Sequence, residues 1–162
     1  MSFSLTSPDI APDSAIDLRH VFNDWSCTGQ NLSPALQWSG APAGTRSFAL
    51  TCYDPDAPTG SGWWHWQIYN IDAAVLSLAR GAGEASGARL PKGSVQSVND
   101  YMLRGYGGPC PPPGPAHRYV FSVFALKTAR LELPAAATCA MVGFNIIANA
   151  LATATLTARY GR

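Results

Sequence analysis

A chain of 162 residues with a net charge of +1 has room for one domain spanning 1–162 and none for a second. Hydrophobic residues make up 47%, beside 15 Gly and 13 Pro, a profile that excludes a disordered chain and describes a compact, loop-rich one. The 11 Lys and Arg form no run that would neutralise several phosphates, so nucleic acid is excluded as a partner, and the apolar stretches are too short or too polar to span a bilayer.

The N-terminus, "MSFSLTSPDIAPDSAI", has neither a basic start nor an apolar core of a secretory leader, so the expected location is cytoplasmic. Cys27, Cys52, Cys110 and Cys139 form no C-x-x-C pair, and reduced thiols are the expectation. Cys52 and Cys139 sit in apolar company and read as small core residues.

The first 45 residues are broken by Pro8, Pro12, Pro34 and Pro42 and allow only short strands. "SFALTCY" (47–53) and Trp64 to Ile71 read as two neighbouring strands, joined by a long Pro/Gly loop rather than a tight turn. Residues 79–92, rich in Gly and Ala, read as a surface loop. From 117 to 126, Tyr119, Phe121, Val123 and Ala125 line one face of a strand, and Val120, Ser122, Phe124 and Leu126 the other. With both faces apolar this strand belongs in the interior of a sheet. After Pro134, Met141, Phe144, Ala148 and Leu151 fall at helical spacing on one face, and Thr153 to Tyr160 alternates as a closing strand. The fold class is therefore mainly β with a late helix.

Two of the three histidines, His65 and His117, each stand at the mouth of a predicted strand beside a Gly/Pro loop. If these strands share a sheet with the same ends together, Asp54, Asp56, His65, His117 and the Gly107 and Gly108 amides surround one cavity. A carboxylate beside a histidine favours its charged form, and glycine amides approach a ligand without a Cβ in the way, so the set suits a small anion. Each residue also has a structural reading: the aspartates as Asx-turn caps of backbone amides, the histidines as half-buried packing residues. His20, in "LRHVF", has no carboxylate loop beside it and reads as structural. No spacing typical of metal ligands, nucleophile elbow or phosphate-binding glycine motif is present, and no metal or cofactor is expected.

"YDPDAPTGSGWWHWQIYNI", followed by "GYGGPCPPPGPAHRYVFSVFAL", together with "CTGQNLSPALQW" and "AMVGFNIIANALATATLTARYG", closely resembles the phosphatidylethanolamine-binding protein family in its bacterial, Raf kinase inhibitor-like branch. The resemblance implies an antiparallel β-sandwich with one or two peripheral helices and an anion pocket at one end. Carried over motif by motif, the pocket residues are Asp54, Asp56, Pro58, His65, Gly108, Pro109, His117 and Tyr119. It also implies a homodimer, a cis peptide at Ala57–Pro58 and a rim stiffened by Cys110 and Pro111 to Pro113. The C-terminal helix that covers the pocket in eukaryotic relatives is not matched, which implies a more open mouth.

The resulting expectation is a non-enzymatic module for a phosphate monoester or carboxylate. His65 and His117 donate to the ligand, Asp54 and Asp56 orient and charge them, and Gly108 lends its amide. The alternatives are a hydrolase-type enzyme using the same residues as acid and base, or an inhibitor that meets a kinase or protease through the pocket loops.

Overall fold

The computed structural model describes residues 2–162. In chain order the elements are β1 (Ser4–Thr6), a single 3₁₀ turn (Leu18–His20), β2 (Leu36–Ser39), β3 (Ser47–Asp54), β4 (Trp63–Asp72), β5 (Ser77–Leu78), β6 (Val95–Gln96), β7 (His117–Leu126), α1 (Cys139–Asn149) and β8 (Ala150–Tyr160). They form two antiparallel sheets: a small one ordered β1-β2-β5, and a five-stranded one ordered β6-β4-β3-β7-β8.

The period-2 pattern of the long strands explains the layering. Phe48, Leu50 and Cys52 of β3 and Tyr119, Phe121, Val123 and Ala125 of β7 enter the core shared with Leu36 and Trp38 of β2. On the opposite face, Ala49 and Leu126 pack under α1 through Val142 and Ile146. Burying a side chain such as Phe121 or Ile68 contributes about 1.5–3 kcal/mol, and these two lie at 0% exposure. β7 is interior, as its two apolar faces require. Among the described residues no helix is long and apolar enough to cross a membrane.

Four expectations are corrected. The helix is present, capped by the Thr138 hydroxyl accepting from the Met141 amide at 3.2 Å, but it buries Cys139, Val142 and Ile146. Met141 and Phe144 face outward at 48% and 74% exposure, and Leu151 already belongs to β8. Both stripes of this helix are apolar, so periodicity alone does not select the one the sheet covers. Within 79–92, Gly81, Ala82 and Gly83 are buried, because a Cβ on Gly83 would lie 2.8 Å from the Trp66 ring.

Cys27 and Cys110 are not free thiols but a disulfide, with Cα atoms 6.0 Å apart. The Phe22 amide donates to the Pro109 carbonyl at 3.0 Å, which lays two segments distant in sequence side by side. Cys52 and Cys139 are free and buried, as expected. The Ala57–Pro58 peptide is trans. The loop turns there by a tight bend in which the Thr59 amide donates to the Ala57 carbonyl at 2.7 Å.

Candidate ligand-binding site

The sheet order places the site. β3 is antiparallel to both β4 and β7, so its last residue, Asp54, lies between their first residues. His65 and His117 thereby reach the same end of the sheet, under the 55–62 loop. A cavity of about 250 Å³ opens there, lined by Asp54, Pro58, His65, His117 and Tyr119 from the expected set, and by Trp25, Ala57, Thr59, Trp63, Tyr101, Cys110, Pro111 and Pro112.

Asp54 is 3% exposed and does two things. One carboxylate oxygen accepts the Asp56 amide at 2.8 Å, an Asx turn that fixes the start of the loop, and the other accepts from His117 Nδ1 at 2.7 Å. The Asx-turn reading of this aspartate holds, and the same carboxylate lines the cavity beside His117. With Nδ1–H given to Asp54, the second ring nitrogen of His117 is left for the cavity.

His65 is held differently. The register of β3 with β4 slips between the Cys52–Trp66 and Tyr53–Trp64 pairs, so His65 is the extra residue of a β-bulge, a device that re-aims a side chain at a strand end. Its Nδ1 donates to the Gly107 carbonyl at 2.6 Å, leaving Nε2 as the lone-pair nitrogen. Burial pushes its pKa down to about 4, against the smaller favourable pulls of the Gly107 carbonyl and Asp54. The expectation of a charged, donating His65 is thus corrected. Desolvation outweighs the nearby carboxylate, and the neutral ring offers an acceptor.

Three further expectations change. Asp56 turns away from the cavity to Arg118, with Nε at 3.0 Å, Nη2 at 2.8 Å and the Arg118 amide at 2.8 Å; hydrogen bonds from that side chain hold its carboxyl down to about 2. It therefore braces the loop against β7 through Arg118. The Gly108 amide already donates to Asn31 Oδ1 at 2.7 Å, and the Gly107 amide to the His65 carbonyl at 2.9 Å, so neither is free for a ligand. Gly108 is glycine because a Cβ would sit 2.1 Å from the His20 carbonyl oxygen. Pro109 spends its carbonyl on Phe22 and lies outside the lining. His20 is structural, fully buried with Nδ1 donating to the Leu32 carbonyl at 2.7 Å.

Sequence reasoning missed the aromatic wall. Trp25, Trp63 and Tyr101 meet edge to face at ring distances of 5.0–6.1 Å. Trp63 stands two residues before His65 in the quoted motif, a signal that was available. Trp25 and Tyr101 come from irregular segments with no periodicity to announce them. Two polar atoms of lining residues, the Tyr119 hydroxyl and the Trp63 indole N–H, are buried with no hydrogen-bond partner. Burial also pushes the Tyr119 phenol far up, so it stays a neutral donor.

The class the fold defines is a two-sheet antiparallel β-sandwich with a His/Asp-lined cavity where three strand ends meet. The family model for phosphatidylethanolamine-binding protein matches residues 6–161, and the chain belongs to that family. Among curated relatives, it is 48% identical over 160 residues to the UPF0098 protein YbcL of Escherichia coli K12, covering 98% of this chain and 87% of that protein. It is 46% identical over 156 residues to the UPF0098 protein YbhB of the same organism, covering 96% and 98%. The crystal structure of E. coli YbcL, described as a new member of the mammalian PEBP family, superposes with a TM-score of 0.97 at 47% identity over 100% of this chain and 99% of the other. A homologue of phosphatidylethanolamine-binding protein from Chlamydia trachomatis gives 0.82 at 30% identity, covering 99% and 98%.

Proposed function

We propose that the cavity binds a small phosphoryl-type anion without turning it over. The observation that carries the reading is the Asp54–His117 pair at the cavity, beside two further lining residues, Tyr119 and Trp63, whose hydroxyl and indole N–H are buried without partners. Buried polar groups without partners are uncommon, and a ligand oxygen accepting from them satisfies both. With Nδ1 of His117 held by Asp54, its Nε2 faces the ligand and donates to an oxyanion. Nε2 of neutral His65 accepts from a hydroxyl of the ligand, which favours a singly protonated phosphate monoester over a carboxylate.

Calorimetric titration with inorganic phosphate and with O-phosphoethanolamine tests this. Wild-type protein is expected to bind, and His117→Ala to lose about tenfold or more in affinity through one charge-assisted hydrogen bond. Equal affinity in wild type and variant, or no heat from either probe, overturns the reading.

Two further parts belong to the same proposal. The protein pairs as a homodimer. Supporting this, Met141, Phe144, Ile147 and Leu151 form an exposed apolar stripe beside β8, whose outer edge is covered by residues 13–16 only near Thr157 and Arg159. Light scattering of wild type against Phe144→Glu reads this directly. The cytoplasmic setting stands as a proposal against which the Cys27–Cys110 disulfide weighs, since such bonds persist mainly in oxidising compartments; cell fractionation decides it.

A further inference from the structure

The wall that Trp25 contributes to the cavity rests on an unfavourable piece of backbone. Trp25 and Ser26 lie consecutively in the left-handed region, with φ of 53° and 64°, and neither is a glycine. Such a pair persists only where its surroundings over-determine it. Within the loop, the Trp25 amide donates to Asp24 Oδ1 at 2.8 Å and the Cys27 amide to the Asp24 carbonyl at 3.0 Å.

Across to the proline-rich rim there are three ties. Phe22 donates to the Pro109 carbonyl at 3.0 Å. Arg162 donates from Nε to the Pro111 carbonyl at 2.7 Å and from Nη1 to Ser26 Oγ at 3.4 Å. The Cys27–Cys110 disulfide is the third, and among the described residues it is the one covalent tie. It begins one residue after the strained pair. Its two halves are unequally reachable: Cys110 is half-buried and lines the cavity, whereas Cys27 is 8% exposed.

We infer that the Cys27–Cys110 disulfide is a thiol-operated clasp that holds Trp25 in the cavity wall. A low-molecular-weight thiolate enters through the cavity and attacks the Cys110 sulfur. The new S–S bond forms to Cys110 as the Cys27–Cys110 bond breaks, and Cys27 leaves as thiolate and takes up a proton. A second thiol then attacks the mixed disulfide and releases Cys110 as a thiol. Two external thiols are oxidised to one disulfide and the protein disulfide is reduced to two thiols. With the clasp open, the 23–28 loop relaxes out of its left-handed pair and the indole leaves the wall. Ligand affinity then depends on the thiol state of the surroundings. Only this last consequence rests on the anion-binding reading.

The test uses native wild-type protein, oxidised or treated with dithiothreitol, with thiols trapped by alkylation and backbone exchange followed by mass spectrometry. Cys27 and Cys110 are expected to alkylate while buried Cys52 and Cys139 do not. Exchange at residues 23–29 is expected to rise by about tenfold or more, with β3 and β7 unchanged. Affinity for O-phosphoethanolamine falls several-fold in parallel. The Cys27→Ser/Cys110→Ser variant shows the same exchange without reductant, and if it fails to fold, reduction of the wild type remains the deciding arm. A disulfide that resists dithiothreitol in the folded protein, or opens without changing exchange at 23–29, overturns the clasp. Faster exchange with no binding of the probe in either state leaves the clasp standing and overturns the anion-binding reading instead.

Discussion

His65 and His117 sit near the starts of β4 and β7, the two strands that flank β3, yet the protein treats them oppositely. His65 is the extra residue of a bulge, 2% exposed, fixed by a backbone carbonyl and held neutral by burial. His117 is fixed by a side-chain carboxylate at the edge of a loop, and its side chain keeps 12% exposure. Two histidines in like sequence contexts thus become an acceptor set by the scaffold and a donor set by a carboxylate. What separates them is burial, which at His65 outweighs the Gly107 carbonyl, and the Asp54 carboxylate, which at His117 holds Nδ1.

The largest expected effect tests the neutral half of this pair. His65 has a folded-state pKa of about 4 against an ordinary value of 6.5, so the unfolded chain takes up its proton first. Stability is expected to be complete above about pH 6.5, to fall by about 3 kcal/mol as pH drops toward 4, and to level off for this group below that. His20, also lowered by burial, adds in the same sense. Urea unfolding at several pH values reads the slope, and His65→Gln should flatten it. An unchanged slope in that variant breaks the comparison.

Gly108→Ala comes next. The new Cβ would lie 2.1 Å from the His20 carbonyl oxygen and 2.7 Å from the Phe22 nitrogen, both backbone atoms. A loss of about 2–3 kcal/mol is expected in thermal unfolding, because the segment that carries the Gly107 carbonyl to His65 must shift.

The two aspartates of the D-P-D loop should then part company. Asp54→Ala strips the buried acceptor from both His117 and the Asp56 amide and is expected to cost about 2 kcal/mol together with ligand affinity. Asp56→Ala loses only a half-exposed pair with Arg118, worth at most about 1 kcal/mol, and leaves affinity within about twofold. Equal losses of affinity from the two substitutions would return Asp56 to the site.

How much of this was legible follows from what kind of information each feature needs. β3, β4, β7 and β8 were readable because alternation along a strand is local, and the meeting of Asp54, His65 and His117 followed once the strands were assigned to one sheet. The helix face was not readable, since its two stripes are equally apolar and only the sheet beneath selects Val142 and Ile146. The fate of the glycine amides was hidden for a different reason: Asn31 reaches Gly108 from 77 positions away. Asp56 pointed to a ligand by motif, while the guanidinium that claims it is the residue after His117. The disulfide and Trp25 lay in the segment with least pattern, where contacts between distant loops, not periodicity, make the structure.

The most direct measurement is an NMR titration of the three imidazoles with O-phosphoethanolamine between about pH 5 and pH 8. The expected result is a saturable shift of His117 that disappears in Asp54→Asn, while His65 keeps its Nδ1–H neutral tautomer throughout. A His117 signal that the ligand leaves unmoved, or a His65 that charges in the ordinary histidine range, would contradict it.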